Sequence, residues 1–310
     1  MPTSPKKTTP SKKIKSAVSD YDIFTTGNTG YWPFLECLIR SIELNAPNCN
    51  QVYVGDIGMD EPYTATYDRE NVTRLFQAGL EAAYDGTHQA GWVSAVNHKT
   101  SWLNKLLGAV NDDRPLIMID NDTFITKDLA PLIDPQYDLQ VTKWEGATNP
   151  EGNGGPGRFW RNDVPGPHGE KLACTCIASF MIINNRKKVQ HFVQKWMAIM
   201  NEMRIAKIAY PHETPALNWQ LQEDETDGLK VGYLKEREVC VDRGFNVEDR
   251  RVPEESYSVH FKSDGSNKYG ARLNYLSRTL AIRFADGKHF RPEDYIEPKL
   301  YQKWLDAHPQ

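Results

Sequence analysis

Two aspartates one residue apart, Asp120 and Asp122, directly follow the apolar run Leu116-Ile117-Met118-Ile119, and their types and spacing suit chemistry better than any other pair in the chain. A continuous apolar stretch that starts after the turn-forming Asp112-Asp113-Arg114-Pro115 predicts a strand buried on both faces. Carboxylates at the end of such a strand emerge at the sheet edge, where open α/β folds keep their ligands. Two acids so close repel each other unless a cation intervenes, and hard oxygen donors favour Mg²⁺ or Mn²⁺. The plainer alternative is a solvated turn, since Asp and Asn are common turn formers. Two carboxylates fill only part of a coordination shell, so substrate oxygens must complete it. A diphosphate suits, with the ion acting as a Lewis acid on a leaving phosphate oxygen.

Other groups for such a site lie far downstream. His260 closes the predicted strand Tyr257-Ser258-Val259-His260-Phe261 and is the candidate third metal ligand, with a purely structural histidine as the alternative. Lys262 and Lys268, in the loop that follows, are candidates to grip phosphate as point charges.

The elements that must position these groups can be read upstream and downstream of the pair. Tyr21 to Thr26 predicts a strand, ended by the turn Gly27-Asn28-Thr29-Gly30. Phe34, Leu35, Leu38, Ile39, Ile42 and Leu44 recur at helical spacing within Trp32 to Asn45, Pro47 stops that helix, and Gln51 to Gly55 predicts a second strand. Strand, helix and strand in that order form a βαβ unit with a right-handed crossover, hence a parallel sheet in a doubly wound α/β domain. Helices are predicted over Glu70 to Ala83 and His98 to Val110. In the latter, Lys99 and Lys105 lie on different faces, so one of the two reaches the site.

Beyond the aspartates, strands are predicted at Asp138 to Lys143, Ala178 to Asn184, Val231 to Leu234 and Tyr257 to Phe261. Helices are predicted along Val189 to Met203, over Pro211 to Gln222 with Glu213 just before Thr214-Pro215, and over Pro292 to His308. Gly146 to Gly169 is dense in Gly and Pro and reads as a long functional loop, with Arg158 and Trp160 as candidate acceptor contacts. No internal repeat is visible.

The chain has 310 residues, 39% of them apolar and 25% charged, which is the composition of a globular protein. No apolar stretch approaches the length of a membrane span, and no apolar leader follows the basic N-terminus. A formal charge of −4 argues against nucleic-acid binding. Residues 1–18 read as a disordered tail, and the five lysines within it (Lys6, Lys7, Lys12, Lys13, Lys15) suit either a solubilising leader or weak contact with an anionic membrane surface. Five scattered cysteines, odd in number, fit a reducing cytoplasm.

In their order along the chain these features resemble GT-A glycosyltransferases, and within that fold the metal-dependent, glycogenin-like nucleotide-sugar transferases. The resemblance is carried by the βαβ start, the lysine-bearing helix, Ile119-Asp120-Asn121-Asp122-Thr123-Phe124-Ile125-Thr126-Lys127-Asp128-Leu129, Glu213 ahead of Leu217-Asn218, and the late His260. The chain departs from that pattern at Glu213 to Asn218, which keeps only the acid and the Leu-Asn, and at the stretched loop after His260, which leaves Lys262 and Lys268 as rivals for the phosphate.

What the resemblance implies is a GT-A domain over residues 19–290, with a mostly parallel central sheet flanked by helices, and a C-terminal helix over 291–310. It implies Mn²⁺ or Mg²⁺ on Asp120, Asp122 and His260, with Thr25, Thr26 and Gly27 beside a nucleoside and Asn121 at its ribose. Lys99 or Lys105 would approach the base or phosphates, and Lys262 or Lys268 the diphosphate. Glu213 and Asn218 would line the sugar pocket, and Glu213 and Lys268 are the candidate catalytic groups. Glu213 would bind donor hydroxyls or, in an inverting enzyme, deprotonate the acceptor. The reaction implied is hexosyl or pentosyl transfer, with retention favoured, from a nucleotide diphosphate sugar, with UDP favoured, to a hydroxyl of a glycan or glycoconjugate.

Two readings compete. A haloacid dehalogenase-type phosphatase would use Asp120 as nucleophile and Asp122 as acid/base, but Phe124 stands where Thr or Val is usual, and no late paired-acid motif is visible. A non-catalytic sugar-binding protein would depend on Arg158 to Arg161 and not on the aspartates.

Overall fold

The computed structural model describes residues 20–77, 88–110, 112–143, 161–165, 171–173, 176–206, 213–222, 228–239, 252–261, 279, 282–284 and 286–308. The basic tail over 1–18, most of the Gly-rich loop with Arg158 and Trp160, and both Lys262 and Lys268 lie outside them.

β1 (Tyr21–Gly27), α1 (Trp32–Asn45) and β2 (Cys49–Asp56) form the expected βαβ unit, with Ile23 level with Val52 and Thr25 with Val54 in a parallel pair. β3 (Val72–Leu75) adds to the far side of β2, again in parallel. There the structure departs from the expected helix over 70–83. Val72, Leu75 and Phe76 have helix-like spacing, but the chain is extended through Val72–Leu75 and its backbone completes the edge of β2, while 78–83 lies outside the described residues. α2 (His88–Ala109) starts ten residues before the expected helix and leads to β4 (Leu116–Ile119) and β5 (Thr123–Ile125).

β6 (Leu139–Lys143), the pair β7 (Arg161–Pro165) and β8 (Lys171–Ala173), and β9 (Cys176–Ile183) follow. Next come α3 (Arg186–Ile205), α4 (Glu213–Gln222), β10 (Val231–Lys235), the one-turn α5 (Glu236–Val239), β11 (Ser258–His260) and α6 (Pro298–Ala307). The expected terminal helix over 292–308 is split into a short 3₁₀ turn at Pro292–Asp294 and α6, where the Glu297 carboxylate caps the new helix by accepting from the amides of Lys299 and Leu300.

Seven strands form the central sheet in the order β10-β6-β9-β4-β1-β2-β3. β9 runs antiparallel to both β4 and β6, and the other pairings are parallel, so the sheet is mixed but mostly parallel, as the resemblance implied. The period-two alternation of side chains sends neighbouring residues of one strand to opposite faces. Ile117 and Ile119 of β4 join the core that contains α1, whereas Leu116 and Met118 join the one that contains α2, α3 and Leu217 of α4. That division explains why β4 is apolar at every position. No described helix is long and apolar enough to cross a membrane.

Asp138 ties three elements together ahead of β6. Its carboxylate accepts from the Lys230 amide at 2.9 Å, from Asn185 Nδ2 at 3.0 Å and from Lys188 Nζ at 3.0 Å. Partial burial works against the charge, but these donors prevail and hold the carboxyl below the usual carboxylate range. Its contribution is therefore present above the unfolded pKa and is lost as pH falls through the lower folded value. Asp138→Asn should cost about 1–2 kcal/mol in urea melts at pH 7, and the difference from the parent should shrink below about pH 4. A deficit that persists unchanged at pH 3 would exclude the charge as its origin.

Candidate functional site

Asp120 leaves β4 where that strand ends, and its amide donates to Ser179 O of β9 at 2.9 Å, one step beyond the last paired residues. Phe24 is level with Met118, so the end of β1, at Thr25 to Gly27, and Asp120 meet at the same sheet edge. After the turn at Asn121 and Asp122 the chain enters β5, which pairs with β11 in a separate antiparallel ribbon that sets His260 opposite Thr123. The ladder continues with the Phe261 amide donating to Asp122 O at 2.7 Å. This ribbon brings His260 to the aspartates from 138 residues away.

His260 Nε2 lies 2.9 Å from Asp122 Oδ1 and 3.8 Å from Asp120 Oδ2. One donor atom from each of the three residues falls within 4.8 Å of the others, the only such cluster of three or more potential metal ligands among the described residues. Lys99, buried on α2, reaches in from the other side. Its Nζ donates to Asp120 Oδ1 at 2.6 Å and to Ala178 O at 3.3 Å, and stands 3.5 Å from Glu213 Oε1 at the start of α4. Burial disfavours the ammonium, yet Asp120 and Glu213 more than offset this and hold Lys99 above its ordinary pKa. For Asp120, burial is the largest influence and pushes the carboxyl up; Asp122 and Glu213 push the same way against Lys99 and His260.

Three carboxylates thus surround one ammonium. The acids outnumber the ammonium there, an arrangement that an added cation would balance. Two hard carboxylate oxygens and one imidazole nitrogen suit Mn²⁺ or Mg²⁺ better than a soft thiolate-seeking metal. The residues present fit such an ion, with Asp120, Asp122 and His260 as its ligands.

The other sequence candidates fall into place around this cluster. Thr25 is fully buried and Thr26 nearly so. Gly27 is needed for space, since a Cβ there would lie 2.5 Å from Leu35 Cδ2. Asn121 is half-buried in the turn between the aspartates. Of the two lysines on α2, Lys99 enters the cluster, whereas Lys105 is exposed, pairs with Gln77 and covers the Trp102 ring at 4.9 Å. Asn218 is buried: its Oδ1 accepts from the Cys176 amide at 2.8 Å and its Nδ2 donates to the carbonyls of Cys176 and Thr214 at 2.7 and 2.8 Å, which fastens α4 to β9. Glu213 is the first residue of α4 rather than the one before it, and its carbonyl accepts from Trp196 Nε1 at 2.8 Å. Sequence reasoning did not find Ser179, whose buried hydroxyl, like that of Thr25, has no hydrogen-bond partner among the described residues.

No protein-family profile matches the sequence, and neither does any curated protein. Solved structures do match. The galactosyltransferase LgtC, solved in complex with donor and acceptor sugar analogues, is similar at a TM-score of 0.51 and 15% identity, over 92% of this chain and 100% of that one. The apo form of the glycosyltransferase GlyE from Streptococcus pneumoniae TIGR4 is similar at a TM-score of 0.51 and 12% identity, over 84% of this chain. This chain spans 60% of the GlyE chain and 39% of the bifunctional WbbM, which is matched at a TM-score of 0.47. The mixed seven-stranded sheet, the helices on both of its faces and the likeness to LgtC together give the chain the GT-A glycosyltransferase fold.

Proposed function

We propose that this protein transfers a sugar, hexose or pentose, from a nucleotide diphosphate donor, with UDP favoured, to a hydroxyl of a glycan or glycoconjugate, with Mn²⁺ or Mg²⁺ at Asp120, Asp122 and His260. The observation that carries the reading is the convergence of those ligands with Lys99 and Glu213 on the sheet edge where β1 ends. The bound ion supplies a Lewis acid for the leaving diphosphate. Asp120, Asp122 and His260 would hold it, and Lys99 fixes Asp120 through its Oδ1. Thr25, Thr26 and Gly27 border the nucleoside and Asn121 its ribose, while Lys262 or Lys268 adds positive charge for the phosphates. Glu213, 3.5 Å from the Lys99 ammonium, offers acceptor oxygens, which suits binding donor hydroxyls and agrees with retention. Arg158 and Trp160 are kept as acceptor contacts.

The phosphatase alternative would need the fold of that family, and the chain has the GT-A fold. Thermal melts with Mn²⁺ and either UDP or GDP test the donor reading. A nucleoside diphosphate at a hundred times its Kd stabilises by about 2.7 kcal/mol, which for a chain of this size raises Tm by roughly 4 °C. No nucleotide response, together with turnover of a phosphate ester, would sink the proposal.

A further inference from the structure

Residues 282–308 enter none of the roles above, yet they brace the site from behind at two places. The first is Trp304 of α6, wholly buried, whose Nε1 donates to Thr29 O at 2.8 Å. Thr29 links the loops that follow β1 and β2. Its amide donates to Gly58 O at 3.0 Å, its hydroxyl lies 3.3 Å from the same carbonyl, and that hydroxyl accepts from the Asp60 amide at 2.7 Å. Only Asn28 separates Thr29 from Gly27, so Trp304 holds the loop that leaves the proposed nucleoside side of the site.

The second is an aromatic cluster. Phe290 and Tyr295 stack at 5.3 Å with 7° between their planes. Both meet Phe124 edge-on, at 5.3 and 4.8 Å, and Phe290 also meets Phe261 at 4.8 Å. Phe124 comes two residues after Asp122, and Phe261 directly follows His260. The rings of the C-terminal segment therefore pack against the neighbours of both ligands on the β5–β11 ribbon.

We propose that the C-terminal segment positions the two halves of the site separately: Trp304 sets the donor-side loop through Thr29, and the Phe290–Tyr295 stack sets Asp122 against His260. The inference rests on the donor reading above. Each contact acts on geometry rather than on substrate. Metal ligands tolerate little misplacement, and groups that orient them alter affinity about 10–100-fold when removed. A single neutral hydrogen bond to a loop is worth about 1 kcal/mol, or roughly a fivefold change in binding.

The test is a double dissociation. Binding of Mn²⁺ alone, then of UDP and of GDP at saturating Mn²⁺, is measured by calorimetry for the parent, Trp304→Phe, Tyr295→Leu and the conservative Tyr295→Phe, each with a thermal melt. Trp304→Phe is expected to weaken nucleotide binding roughly fivefold and leave Mn²⁺ binding within about twofold. Tyr295→Leu is expected to weaken binding of Mn²⁺ alone by about tenfold, and Tyr295→Phe to restore it. If Trp304→Phe and Tyr295→Leu shift both constants in parallel with Tm, or move neither constant, the inference is overturned. A parent chain that binds Mn²⁺ but neither nucleotide overturns the donor reading and the Trp304 half with it, while Tyr295→Leu still decides the metal half.

Discussion

Asp122→Ala is expected to abolish sugar transfer while leaving the fold in place. The lost carboxylate is a proposed metal ligand and also the 2.9 Å partner of His260 Nε2, so both the charge and the orientation of the imidazole go together. A metal acting on a leaving oxygen is worth several kcal/mol, and each 1.4 kcal/mol is about tenfold in rate; a fall on the order of 10³-fold or more follows. Stability should change little, because removing one acid from a cluster of three relieves repulsion with Asp120 about as much as it forfeits the contact with His260. The measurement is a transfer assay beside a circular-dichroism melt. Transfer that survives in the variant, or in the parent treated with chelator, would end the metal assignment.

Lys99→Met is the second large effect and appears first as stability. Lys99 is 4% exposed and is the ammonium nearest to two carboxylates, one of them a proposed metal ligand. Breaking a buried pair from one side costs about 3–5 kcal/mol, because the remaining charges stay desolvated and unbalanced. The partial exposure of Asp120, whose side chain retains 24%, places the expectation at the lower end. In a chain of this length that lowers Tm by roughly 5 °C. The sign with pH follows from Lys99 being held above its ordinary value: its stabilisation is complete below the unfolded pKa and is lost only as pH rises through the still higher folded one, so the deficit should be the same at pH 6 and pH 8. Mn²⁺ should recover part of the loss in the variant, since the ion supplies positive charge to the same carboxylate. A variant as stable as the parent without metal would mean that Asp120 and Glu213 are not ionised together.

The aspartate pair was legible in the sequence because the run Leu116 to Ile119 is apolar at every position, and only a strand packed on both faces requires that. His260 was legible for a related reason, as the polar end of a short β-rich segment, although nothing in its neighbourhood named Asp122 as its partner. β3 was not. Val72, Leu75 and Phe76 carry the same spacing in a helix as in this edge strand, and what decides between them is the unfilled backbone of β2, a tertiary fact. The first ten residues of α2 were missed because His88 to Asn97 shows little apolar periodicity. The choice between Lys99 and Lys105 needed the helix to be seated, since spacing separates their faces without saying which one looks inward. The role of Trp304 was invisible, because its partner is a backbone carbonyl, and those have no sequence signature.

The short ribbon of β5 and β11 also bears on how this protein comes into being. Its two strands are joined by no hairpin; the contact between Asp122 and His260 closes a loop of 138 residues. Contacts of such long range are slow to form, and a growing chain folds from its N-terminal end as it is made. The sheet around β1 and β4 can assemble while the imidazole has yet to be synthesised, so a nascent chain carries two acids and no third ligand. The Asp-Asp-His cluster is therefore complete only once synthesis has passed residue 260, and a product truncated before that point would carry the two acids without the imidazole.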